Sequence, residues 1–211
     1  MLSGIGKHED LSRLGIETKI SNESVGQHLR DDLNVRQVFR LRDPERHGSF
    51  GQKPLRRLPL DHFAYLQCKS EKLIEALRED GESDALHHWL LNPGRVHQEF
   101  YIMYLALLSG TQLQSLDIQQ DGTYITTSVY NMAPTARGEV RLASADPRQA
   151  PVVDPQYQSK AADREVMRDA LRQVYQLLMF HQSTFAEQKG YQCTRSVQPK
   201  DNTGTFQSAG R

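Results

Sequence analysis

The 211-residue chain has only two cysteines, Cys68 and Cys193. No disulfide framework and no cysteine-based zinc site can be built from two. They leave room for one disulfide or for two free thiols in a reducing compartment, and the second reading is preferred. Charge of one sign is also lacking: 26 Lys and Arg face 26 Asp and Glu, for a net charge of +0 and a pI of about 7.1. That balance removes the basic footprint that phosphate contacts need and argues against a nucleic-acid partner. No apolar run approaches the roughly 20 residues that span a bilayer, so no membrane is expected. Residues 1–10 have no long apolar stretch of the signal-peptide kind, which points to the cytoplasm. Hydrophobic residues are scarce at 37%, with mean hydropathy −0.64, so part of the chain should be loop or tail. Nucleophile elbow, P-loop and dinucleotide fingerprint are all missing.

What is present reads as alternating short helices and strands. A helix is expected over 8–14, stopped by Gly15, then a brief strand at 16–20 and a turn at 25–32. From Leu33 to Arg42 the period is two: Val35, Phe39 and Leu41 share one face, and Asn34, Arg36, Arg40 and Arg42 the other. Residues 43–60, with Pro44, Gly48, Gly51, Pro54 and Pro59, read as a long loop. Leu73, Ile74 and Leu77 mark a helix over 70–80, and 83–91 another short one. Strands follow at 95–107, at 123–132 after an Asp121-Gly122 hairpin-type turn, and at 138–143. The strongest helix spans 160–181, with Ser159 as N-cap and Val166, Ala170, Val174, Leu177 and Leu178 as its buried stripe. Residues 190–211 lose apolar patterning and read as a disordered tail. The element order gives an α+β fold, a mixed and mostly antiparallel sheet with flanking helices, and the strands at 33–42, 95–107, 123–132 and 138–143 are placed in one sheet.

Eight histidines require a test for chemistry. His97 and Glu99 sit two apart on a strand and point the same way, with His87 and His88 upstream. A metal would need three converging ligands with outer support, so a solvated or hydrogen-bonded surface pair is the preferred reading and no metal is assigned. His28 with Asp31 and Asp32 has the makings of an acid–base pair, although such carboxylates more often orient a turn. Ser3, Gly4 and Gly6 could bring backbone amides close to a ligand at the first helix. No catalytic residue is assigned from these patterns.

Two stretches carry a resemblance. Leu2-Ser3-Gly4-Ile5-Gly6, His8-Glu9-Asp10-Leu11, Leu14-Gly15-Ile16 and Val25-Gly26-Gln27-His28-Leu29-Arg30-Asp31 form the first. Pro134-Thr135-Ala136-Arg137-Gly138-Glu139-Val140-Arg141-Leu142, Ser144-Ala145-Asp146-Pro147, Pro151-Val152-Val153-Asp154-Pro155 and Tyr157 form the second. In order and spacing over residues 2–180 these resemble the glucose–methanol–choline (GMC) flavin oxidoreductases. Asp61–Tyr65 and Asp121–Ser128 are similar to the fungal branch of that family. His28 stands where the family usually has Asn, and Asp32 where it usually has His.

The resemblance implies an FAD-dependent oxidoreductase that removes hydride from a C–OH carbon of a small alcohol or secondary metabolite. It also implies a partial chain, without the N-terminal FAD fingerprint or the C-terminal catalytic histidine block. The expected division is a remnant of the flavin-domain edge at 1–32, a substrate-binding region running into the C-terminal domain at 33–189, and the tail at 190–211. Ser3 and Gly4 are the cofactor-binding remnant, and FAD is not expected to be retained by the chain alone. The rival expectation is a non-catalytic binding module or fragmentary gene product. Apolar surface left bare at Leu2, Ile5, Ile16, Met167, Leu171 and Phe180 would promote self-association.

Overall fold

The computed structural model describes residues 1–41, 60–188 and 193–197, with side chains described for most of them. The chain divides into two compact units, each assembled from three segments. The first unit comprises Met1–Leu33, Leu66–Gln98 and Tyr130–Asp169; the second comprises Asn34–Tyr65, Glu99–Val129 and Ala170–Arg211.

The first unit opens with strand β1 (Ile5–Gly6), paired in parallel with β2 (Ile20–Ser21). Helix α1 (His8–Arg13) lies between them and buries Leu11. Helix α2 (Ser70–Glu79) is short but strongly one-sided: Leu73, Ala76 and Leu77 are buried, and charged residues fill the other face. Two 3-10 turns, Ala85–His87 and Trp89–Leu91, stand where a short helix is expected. The core of this unit gathers Cys68, Leu73, Leu77, Leu90, Ala162 and Val166.

Helix α4 (Ala161–Gln188) enters that core from its N-terminal turn. Its first amides, Ala161 N and Ala162 N, donate to the Asp80 carboxylate at 2.7 and 2.9 Å. The end of α2 therefore caps the start of α4, and a negative charge sits on the helix's positive pole. Ser159, the cap expected from the sequence, instead offers its carbonyl to Arg164 at 3.0 Å. Val166, Ala170, Val174 and Leu178 are buried as expected, but Leu177 is 38% exposed. Met167, expected on the bare side, is buried at 6%, because the first turns of α4 are enclosed nearly all round, including Asp163, Glu165 and Asp169. Leu2 and Ile5 are exposed as expected, whereas Ile16 and Leu171 are half-buried; the Phe180 side chain lies outside the described residues.

The second unit is built on a five-stranded sheet in the order β4 (Leu60–Leu66), β5 (Gln98–Met103), β6 (Tyr124–Asn131), β3 (Asn34–Leu41), β9 (Cys193–Val197). Strands β3 and β9 run antiparallel, Val38 opposite Val197 and Phe39 opposite Ser196. So do β6 and β3, since Asn131 N reaches Leu33 O while Thr127 Oγ1 reaches Gln37 O. A small helix, α3 (Gly110–Ser115), begins in a capping box: the Ser109 hydroxyl accepts from Gln112 N, and Gln112 Oε1 accepts from Ser109 N. It packs Leu108, Leu113 and Leu116 around Val38, Ala106 and Ile118.

Three expectations change. The segment at 138–143 does not join the main sheet: β7 (Glu139–Arg141) pairs antiparallel with β8 (Val152–Asp154) as a separate ribbon. The proline-punctuated connection at 146–155 hides that partner strand. Asp121-Gly122 is a turn, with Asp121 Oδ1 accepting from Thr123 N and Oγ1, but it leads from α3 into β6 and closes no hairpin. Within 190–211, Cys193–Val197 form a strand rather than tail, and 189–192 and 198–211 lie outside the described residues. The long loop expected at 43–60 likewise lies outside them, apart from Leu60. Among the described residues no helix is long and apolar enough to cross a membrane.

The inter-helix cap is directly testable. Asp80→Ala should lower stability by about 1–2 kcal/mol, read as a lower Tm, whereas Ser159→Ala should leave Tm unchanged.

Candidate functional site

Three separate stretches of chain meet in the first unit, and they are the stretches whose motifs stand out in the sequence. Leu29 and Gly138 exchange two backbone hydrogen bonds, Leu29 N to Gly138 O at 2.9 Å and Gly138 N to Leu29 O at 2.8 Å. Val140 N adds a third, to Gly26 O at 2.7 Å. On its other side the 138–141 strand pairs with 152–154. Two glycines make this stacking feasible. A Cβ on Gly26, whose φ is +83°, would lie 2.3 Å from Val140 O; one on Gly138 would lie 1.9 Å from Asp154 O.

The backbone is bent to fit. Three non-glycine residues here take left-handed φ values: His28 at 61°, Gln156 at 52° and Gln158 at 59°. Asn, Asp and His tolerate that region better than most residues, which is why a histidine can stand at position 28. The Tyr157 hydroxyl, held between the two left-handed glutamines, donates to Asp31 Oδ2. That bond, followed by burial and the Asp31 and Asp32 charges, holds the Tyr157 phenol above its usual pKa of 10. Asp31 Oδ1 accepts from Asp32 N at 3.0 Å. An open cleft lies over this crossing, lined by Arg30, Asp31, Asp32 and Met132. A narrower one beside it is lined by Asp31, Asn131, Pro134, Tyr157, Gln158 and Asp163. The buried Asp163 carboxylate fixes the cleft's far wall, accepting from Thr135 N, Thr135 Oγ1 and Ala136 N at 2.6, 2.9 and 2.8 Å.

The remaining candidates fall into place individually. Gly4 is buried with φ +84°, its amide donates to Met1 O, and its carbonyl accepts from Lys19 N and Ile20 N. Its backbone groups are thus spent inside the turn, whereas Ser3 is exposed. His97 is buried at 4%, with Nδ1 accepting from Cys68 N at 2.9 Å and Nε2 donating to Leu90 O at 2.7 Å. Both ring nitrogens are committed to the core, so His97 is neither half of a surface pair with Glu99, as expected, nor a ligand beside it. His87 bonds Asp84, and His88 Nδ1 accepts from Leu90 N, so the adjacent histidines serve different partners. Burial, followed by the Asp169 and Glu165 charges, pushes the Cys68 thiol up to about 12, which makes it inert. Among the described residues no group of three His, Cys, Asp or Glu is arranged to hold a metal ion. Trp89, flanked by Arg30 at 5.6 Å and Arg95 at 5.2 Å, is a contact that sequence spacing does not reveal.

Gly138→Ala should cost at least about 3 kcal/mol, because only backbone atoms stand in the way; Gly110→Ala, with nothing near its Cβ, should leave the melt unchanged. The Tyr157 phenol provides a pH test. Its pKa is raised in the folded chain, so its contribution to stability is complete below about 10 and is lost as pH rises through the folded value. Ultraviolet phenolate titration should show Tyr157, identified by its loss in Tyr157→Phe, ionising later than free tyrosine, and Asp31→Asn should bring it back.

With this geometry in view, the comparisons with known proteins agree among themselves. Residues 134–209 match the GMC oxidoreductase family. The GMC-type oxidoreductase acuG of Aspergillus aculeatus is 32% identical over 184 residues, covering 84% of this chain and 34% of that protein. Versicolorin B synthase of Aspergillus parasiticus is 25% identical, covering 84% and 28%. Among solved structures, the Aspergillus oryzae RIB40 formate oxidase studied for the effect of an R554K mutation on FAD modification superposes with a TM-score of 0.61 at 25% identity, covering 85% of this chain and 34% of that one. The chain spans about a third of the length of the relatives it matches. By the matched segment and these relatives together, the chain belongs to the GMC oxidoreductase family.

Proposed function

We propose that this chain is part of an FAD-dependent oxidoreductase acting on a C–OH group of a small alcohol or secondary metabolite, and that it supplies mainly the substrate-binding region. The observation that carries this reading is the backbone crossing of 25–31, 138–141 and 152–157, which unites the family's motifs in one unit. The FAD-modification study of the formate oxidase supports the cofactor class. When bound, FAD would supply hydride acceptance. In this chain we place residues 1–32 at the edge of the flavin-binding part, with Ser3 as the side chain able to face the cofactor and Gly4 as the turn that presents it. Residues 33–189 form the substrate region and the approach to the C-terminal part, and the small-molecule substrate belongs with them.

The chain alone is proposed not to retain FAD, because Gly4 has no free amide and Ser3 provides a single hydroxyl. The second reading, a non-catalytic binding module, draws support from the histidines. His97 is locked in the core, and His8, His28 and His87 are exposed. Equilibrium dialysis of the purified chain against FAD, read by visible absorption, tests the proposal. The expected result is no bound flavin above the free concentration; flavin bands near one per chain would overturn it.

A further inference from the structure

We propose that Arg30, Trp89 and Arg95 form a binding site for a small oligoanion, a molecule carrying neighbouring carboxylate or phosphate groups. The site lies within the first unit and is independent of the FAD reading. The Arg30 guanidinium carbon lies 5.6 Å from the Trp89 ring centroid and that of Arg95 lies 5.2 Å from it. Two like charges against one indole repel each other unless something between them is negative. Among the described residues neither guanidinium meets a carboxylate, although Arg13, Arg141, Arg148, Arg164 and Arg168 all do.

Both arginines are exposed, and the backbone that carries each is held in place. Arg30 follows Leu29, which is bonded at N and O to Gly138. Arg95 N donates to Asn92 O at 3.0 Å, and Arg95 O accepts from Gln67 Nε2 at 3.0 Å. Trp89 is half-buried and packs on the core, so the ring is a fixed platform. A guanidinium stacked on an aromatic face leaves its N–H edges free to chelate carboxylate or phosphate oxygens in bidentate fashion. The His88 ring, 5.4 Å from Trp89, borders the site.

The nearest opposing charges set the selectivity. Asp31 is engaged by the Tyr157 hydroxyl, whereas Asp32 lines the same open cleft as Arg30. Asp32 should repel an incoming anion and so restrict the site to ligands compact enough to sit over the indole.

Trp89 is the only tryptophan in the chain, so its fluorescence reports this site alone. The purified chain is titrated with inorganic pyrophosphate and, separately, with citrate, at constant ionic strength held by chloride. A saturable change in emission is expected with one or both, and the pair of titrations distinguishes phosphate from carboxylate recognition. Arg30→Gln and Arg95→Gln should each weaken binding about tenfold, and Asp32→Asn should tighten it, with all three variants retaining the parent Tm. Emission that follows chloride as well as it follows either anion, or that is unchanged by both arginine substitutions, would overturn the proposal.

Discussion

Backbone laid directly on backbone at Gly26 and Gly138 is the constraint on which the first unit depends. Side-chain packing can adjust to a substitution by shifting rotamers, but a Cβ at either glycine meets a main-chain carbonyl. The close approach fixes the register of 25–31 on 138–141, and that register in turn brings Asp31 to Tyr157 and Arg30 to Trp89. Left-handed residues at 28, 156 and 158 follow from the same geometry, since both crossing chains must turn sharply as they leave the contact.

Carboxylates then tie neighbouring segments to α4: half-buried Asp80 at the end of α2, and buried Asp163 with residues 135–136. Asp80 and Asp163 satisfy their charge with amide donors rather than with cations: two helix amides for Asp80, and two amides and a hydroxyl for Asp163. A carboxylate accepting several N–H groups can be buried without a partner of opposite sign. Replacing either with an apolar residue would strand backbone donors inside the fold. This explains why the first turns of α4, rich in Asp and Glu, are enclosed although their composition reads as a solvated face.

Much of the fold was legible in the sequence because it depends on local period. The one-sided α2 and the Val166–Ala170–Val174–Leu178 stripe of α4 carry their burial in their spacing, whereas β3 buries the adjacent Val38 and Phe39, because α3 and its flanks cover the side expected to be wet. The capping box at Ser109 and Gln112 was also there to be read, and it marks α3. What stayed hidden depends on distant partners. Strand β8 is three exposed residues that become a strand only against β7. Strand β9, polar and β-branched, is the edge of its sheet, where hydrophobic alternation is not required. The Asp80 cap was hidden for the same reason: its acceptor and donors are about eighty residues apart, and a nearer serine looked sufficient.

The division of labour between the two units follows from these constraints. Most of the motifs that identify the family, from Leu2 to Asp31 and from Pro134 to Tyr157, fall in the first unit, where glycines, left-handed turns and buried caps leave little freedom to vary. The second unit relies instead on a sheet whose strands are held by main-chain hydrogen bonds, which accept almost any side chain. Its exposed positions, such as Phe63 and Tyr65, can therefore change without disturbing the fold. A family that keeps its architecture while varying what it binds needs both kinds of region.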